Sequence, residues 1–177
     1  MLQKIFLILI LVFSLNSCSN KDLEYEPKDK VNPYTLYQEG LKLFENGDYF
    51  FAEKKFTEAE LNFEIVDFAA KSAIMSSYSL YGINFYSDAL INLERYLKKY
   101  PTDKNVMYAH YLISIIHYEQ IEDEKKDLQP LIDAKEKIVF FLEKYPNTDY
   151  AIDLKFKKDL IQNQLAAKEL FVAKYYI

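Results

Sequence analysis

The chain has 177 residues, half of them hydrophobic and more than a quarter charged, with a formal net charge of −5. That balance suits a folded, water-soluble body and excludes a mainly disordered chain, while an acidic surface is a poor match for nucleic acid or anionic lipid. A single cysteine excludes an intramolecular disulfide, and the absence of tryptophan leaves packing and binding to 16 tyrosines and 13 phenylalanines.

Residues 1–17 read as a signal peptide. Lys4 supplies a positive start, Ile5 to Phe13 form an unbroken apolar run, and Ser14 to Ser17 form the cleavage zone. The run is too short for a membrane-spanning helix. It ends at Leu15-Asn16-Ser17-Cys18, which resembles the bacterial lipobox, and this predicts lipidation of Cys18 as the first residue of the mature chain. Each buried acyl methylene contributes about 0.8 kcal/mol, so several chains anchor a protein without a spanning helix. Ser19 follows the cysteine where Asp does not, and similarity to proteobacterial lipoproteins then implies the outer membrane. Removing residues 1–17 removes Lys4 and no acid, so −5 becomes −6. Membrane contact is therefore expected through the lipid anchor only, and no nucleic-acid partner is expected.

Residues 18–31 are polar and charged, contain Pro27 and lack helical periodicity, as a lipidated tether would. Asn32-Pro33 opens the folded part, with an N-cap residue before a proline at the first helical position. From there to residue 177 helix is expected to follow helix, an all-α chain. The punctuation repeats. Gly47-Asp48-Tyr49-Phe50-Phe51-Ala52 has a counterpart in Asn84-Phe85-Tyr86-Ser87-Asp88-Ala89, and Leu97-Lys98-Lys99-Tyr100-Pro101 returns as Leu142-Glu143-Lys144-Tyr145-Pro146. Each proline closes a helix, and the pairs Thr102-Asp103 and Asn147-Thr148 are expected to open the next one.

These features resemble the tetratricopeptide repeat (TPR), a unit of two antiparallel helices with small residues where they pack closest. The matching positions are Gly40, Leu43, Gly47, Tyr49, Ala52, Phe56 and Ala59, then Ser77, Leu80, Tyr86, Ala89, Leu93, Tyr96 and Pro101. The third set is Ser114, Ala134, Ile138, Phe141 and Pro146, with a charged insertion from Ile121 to Gln129. The reading for residues 32–177 is a helical solenoid of about three repeats and a final long helix from Thr148. That helix carries one apolar stripe of Leu154, Ile161, Leu165 and Val172 and another of Phe156, Leu160, Ala167 and Phe171. Two apolar faces call for neighbours on both sides.

The segments Val106-Met107-Tyr108-Ala109-His110-Tyr111-Leu112 through Tyr118-Glu119-Gln120, and Leu165-Ala166-Ala167-Lys168-Glu169-Leu170-Phe171-Val172-Ala173-Lys174-Tyr175-Tyr176, are similar to the BamD family of outer-membrane protein assembly lipoproteins. The resemblance implies a lipoprotein on the periplasmic face of the outer membrane. It also implies partners: the POTRA domains of a BamA-like barrel subunit, other assembly-machine lipoproteins and unfolded outer-membrane proteins. Members of the family usually carry further repeats beyond the second segment, and the POTRA contact lies largely there.

In such an array the first helix of each unit lines the inner side. Spacing of three and four puts Tyr34, Tyr37, Leu41 and Phe44 on one face, then Lys71, Ile74, Tyr78 and Tyr81, then Tyr108, Tyr111, Ile115 and Tyr118. A tyrosine-rich groove offers apolar area and hydroxyls to extended peptide. The same spacing also fits tyrosines packed between helices, and spacing alone does not separate the two.

Catalytic readings are weak. His110 and His117 are seven residues apart with no carboxylate or second cysteine completing a ligand set, so no metal or cofactor is expected. Glu122-Asp123-Glu124-Lys125-Lys126-Asp127 reads as solvated surface. Two non-catalytic functions remain: a scaffold subunit of the β-barrel assembly machinery, or a structural TPR lipoprotein linking cell-envelope or division proteins.

Overall fold

A computed structural model describes residues 31–121 and 128–176; the signal segment, Cys18, the tether up to residue 30, residues 122–127 and residue 177 lie outside the described residues. The described chain forms seven helices: α1 (Pro33–Glu45), α2 (Tyr49–Asn62), α3 (Val66–Gly82), α4 (Tyr86–Lys99), α5 (Val106–Glu119), α6 (Gln129–Lys144) and α7 (Asp149–Tyr175). Successive helices pack on each other, and α5 also reaches α7. This is the all-α, TPR-like solenoid of paired helices that the repeated punctuation predicts.

The turns explain the pairing. Asn32 Oδ1 accepts a hydrogen bond from Tyr34 N at 2.9 Å and Pro33 occupies the first turn, so α1 starts where its donors are satisfied. At its other end Gly47 N–H donates to Phe44 O and Asp48 N–H to Leu43 O, with Gly47 at φ +81°. The α3–α4 turn repeats this geometry. Asn84 N–H donates to Tyr81 O, Phe85 N–H donates to Leu80 O, and Asn84 has φ +60°. Both are left-handed helix ends that suit Gly or Asn and turn the chain back sharply.

Helix α4 stops at Lys99 before Pro101 and α6 stops at Lys144 before Pro146. Thr148 caps α7, its hydroxyl accepting from Ala151 N at 3.2 Å. The pair Thr102-Asp103 does not open a helix, which corrects the expectation made for it: α5 begins at Val106. The Asp103 carboxylate is engaged elsewhere. It accepts from the Tyr96 hydroxyl and from Asn105 N and Nδ2, and so staples the turn to α4.

Close packing follows the repeat positions. Gly40 lies under the Phe56 ring, and Ala52, Ala89 and Ala134 are fully buried at equivalent points. Ser77 and Ser114 return their hydroxyls to the carbonyls of Ala73 and His110, one turn earlier, which lets a small polar residue stay buried without an orphaned group. Three apolar clusters result. One joins α1 and α2 around Phe56, one spans α3 to α5 around Leu93 and Tyr96, and one spans α5 to α7 around Phe141 and Ile161. Each fully buried large side chain among them contributes about 1.5–3 kcal/mol.

On α7 the first stripe is buried at Leu154 and Ile161 and partly buried at Leu165, but Val172 at its far end is exposed, as are Phe156 and Phe171 on the second stripe. Among the described residues no helix is long and apolar enough to cross a membrane.

Candidate functional site

Helices α1, α3, α5 and α7 are the first members of successive pairs, and their tyrosines meet. Phe44 on α1 contacts Tyr78 on α3, with ring centroids 5.3 Å apart. Tyr78 stacks on Tyr81 at 6.0 Å and meets Tyr108 on α5 edge-on at 6.2 Å. Tyr108 continues to Tyr111, and both reach Tyr150 at the start of α7, at 6.0 and 4.4 Å. The result is a ladder of aromatic rings crossing four helices. Offset and edge-on contacts of this kind contribute about 0.5–1.5 kcal/mol each beyond their buried area, so the face is stiff.

The ladder is braced at its α7 end. Tyr111 donates its hydroxyl to Asp153 Oδ2 at 3.0 Å, and Lys157 Nζ donates to Asp153 Oδ1 at 2.8 Å. Lys157 also sits over the Tyr118 ring, 5.3 Å from its centroid. Tyr118 therefore joins through Lys157 and not through a ring contact.

Tyr78, Tyr81, Tyr108 and Tyr150 make no hydrogen bond through their hydroxyls among the described residues. Burial pushes the Tyr81, Tyr108 and Tyr111 hydroxyls above the ordinary tyrosine value, with further contributions from Glu119 at Tyr81, from Tyr78 at Tyr108 and from the Asp153 hydrogen bond at Tyr111. Tyr81 and Tyr108 remain neutral at physiological pH and keep both donor and acceptor capacity, whereas the Tyr111 donor is committed to Asp153.

Two of the predicted groove tyrosines lie outside the ladder. Tyr37 is buried between α1 and α2 against Phe56, at 5.4 Å, and Lys71 Nζ stands over its ring at 5.1 Å from the centroid. Tyr34, at the start of α1, contacts Phe63 and Phe68. Ile74 and Ile115 are buried core residues and Leu41 packs against the α1–α2 core. Tyr150, Asp153 and Lys157 were not foreseen, because α7 reads by its apolar stripes and their polar neighbours pass for a solvated face. A signal was present in Tyr150, which follows the Thr148 cap and so stands in the first turn of another first helix.

His110 serves packing. His110 contacts Phe140 and Tyr145, with Lys144 Nζ at 3.4 Å from its Nε2. Burial lowers its pKa, and the Lys144 charge adds to this; burial and Lys137 do the same at His117. Among the described residues no three His, Cys, Asp or Glu side chains gather as a metal site.

A profile of an outer membrane lipoprotein family, YfiO, matches residues 29–177. The chain belongs to this family. It is also similar to curated proteins named outer membrane protein assembly factor BamD, in line with the resemblance seen in its sequence. The protein from Caulobacter vibrioides is 31% identical over 142 residues, covering 80% of this chain and 47% of its own length. That from Rickettsia prowazekii is 29% identical over 171 residues, covering 96% and 67%. That from Pasteurella multocida is 25% identical over 186 residues, covering 99% and 70%. The chain thus spans about half to two thirds of the length of these relatives.

Proposed function

We propose that this chain is a non-catalytic scaffold subunit of the machinery that assembles β-barrel proteins in the outer membrane. Lipid on Cys18 holds it at the periplasmic face. Its partners are a BamA-like barrel subunit with POTRA domains and other assembly-machine lipoproteins. Its face of first helices receives extended polypeptide, including C-terminal segments of unfolded barrel proteins, in which aromatic and polar residues alternate.

The ladder from Phe44 to Tyr150 carries this reading. A row of packed rings with unengaged hydroxyls at Tyr78, Tyr81, Tyr108 and Tyr150 suits such a strand: rings cover its apolar side chains, and hydroxyls meet its backbone carbonyls and amides. Membership of an outer membrane lipoprotein family and likeness to proteins named as assembly factors support the setting. Co-purification from detergent-solubilised native membranes tests it. Barrel-assembly subunits are the expected companions, and recovery of envelope-structural or division proteins in their place would contradict the reading.

A further inference from the structure

An exposed apolar patch surrounds the point where the chain enters the folded body. Tyr34 meets Phe63 and Phe68 edge-on at 4.9 and 5.1 Å, and Phe63 stacks on Phe68 at 5.4 Å. Next to this trio along the chain stand Val31, Ile65 and Val66, which are 48%, 52% and 64% exposed. Ile65 and Phe68 also wall an open cleft of about 400 Å³ whose other sides include Lys71 and Lys104. Asp67 and Asp103 line the same cleft, and Asp103 is already held by Tyr96 and Asn105. Contiguous apolar surface of this kind marks a site that something covers.

The entry point identifies the occupant. Val31 begins the body, and the thirteen residues from Cys18 to Lys30 span at most about 45 Å when fully extended. Acylation of Cys18 therefore keeps Val31 within that distance of lipid. Aromatic and aliphatic side chains with lysines beside them are the composition that settles at the boundary of headgroups and acyl chains. We propose that the patch of Val31, Tyr34, Ile65, Val66 and Phe68 seats on the lipid bilayer, with Lys71 and Lys104 reaching headgroup phosphates. This inference rests on the lipoprotein reading above and adds a second contact to the anchor. An anchor alone is a swivel; two contacts fix which way the tyrosine ladder points.

The test uses the full acylated protein in vesicles of phosphatidylethanolamine and phosphatidylglycerol. Cys18 is the sole native cysteine, so once it is acylated an introduced thiol is the only one free to take a nitroxide label. Labels go at Val66→Cys and, as a control, at exposed Ile91→Cys on α4. The label at position 66 is expected to become several-fold more accessible to dissolved oxygen than to a water-soluble nickel chelate, while the control stays water-exposed. Ile65→Ser with Phe68→Ser should abolish that difference at a label on Val31→Cys, with far-UV circular dichroism unchanged. Acylated Cys18 with a water-exposed label at position 66 would overturn this inference alone. Protection that arises only when assembly-machine proteins are added would overturn it too, in favour of a protein interface. Unmodified Cys18 in protein from the native host would overturn both this inference and the anchor on which it rests.

Discussion

Arg95 on α4 grips Glu60 on α2 with both terminal guanidinium nitrogens, each 2.7 Å from a different carboxylate oxygen. Lys99 Nζ and the Tyr100 hydroxyl donate to the same carboxylate at 3.0 and 2.8 Å. Glu60 is almost fully buried, so it would be costly alone. Burial pushes its carboxyl up, but the hydrogen bonds from Arg95, Lys99 and Tyr100, with the Arg95 charge, outweigh this and hold it below the usual carboxylate range. The cluster ties the second helix of the first repeat to the second helix of the next. It fixes the offset between units on which an unbroken ladder depends.

Replacing Arg95 with alanine should lower stability by about 2 kcal/mol, less than a fully buried pair would lose because Arg95 is partly exposed and Lys99 and Tyr100 remain. A carboxyl with a lowered folded-state pKa contributes stability that is full above its unfolded value and is lost as pH falls through the folded one. The gap between native protein and R95A should therefore be full at about pH 7 and shrink below about pH 4. Urea unfolding followed by circular dichroism at both pH values measures it. A gap that stays constant, or is absent at neutral pH, would contradict the role assigned to the pair.

Gly40→Ala sets two effects against each other. Alanine inside a helix gains about 0.5–1 kcal/mol over glycine. Its Cβ, however, would stand 2.8 Å from Phe56 Cε1, in a ring that is fully buried and hemmed in by Tyr37. Overpacking of this kind costs about 1–3 kcal/mol, so the variant should be less stable in spite of its better helix propensity. Adding Phe56→Leu should recover part of the loss. If G40A alone raises the thermal midpoint, the close approach of α1 and α2 is looser than described.

These residues also show what the chain discloses before folding. Gly40, Ser77 and Ser114, with Ala52, Ala89 and Ala134, betray the helix pairs because close packing must recur once per unit, and recurrence is visible in one dimension. The Glu60 cluster is invisible there. Its partners lie 35 to 40 residues away, and a glutamate near the end of a helix reads as solvated. The ladder was half legible. Phe44, Tyr78, Tyr81, Tyr108 and Tyr111 fall where helical spacing puts them, but that spacing cannot tell that Tyr37 turns inward to Phe56. Nor can it tell that Tyr34 joins Phe63 and Phe68 at the other end of α1.

The central claim is that the ladder receives extended polypeptide, and the Tyr78→Ala, Tyr81→Ala double variant tests it most directly. Fluorescence anisotropy would follow a labelled peptide copying the alternating aromatic and polar C-terminal segment of a β-barrel protein. Two truncated rings at the centre of the ladder should weaken binding by about tenfold or more while helix content by far-UV circular dichroism stays intact. Unchanged affinity, or loss of helix content in place of affinity, would mean that these tyrosines hold the fold together and receive nothing.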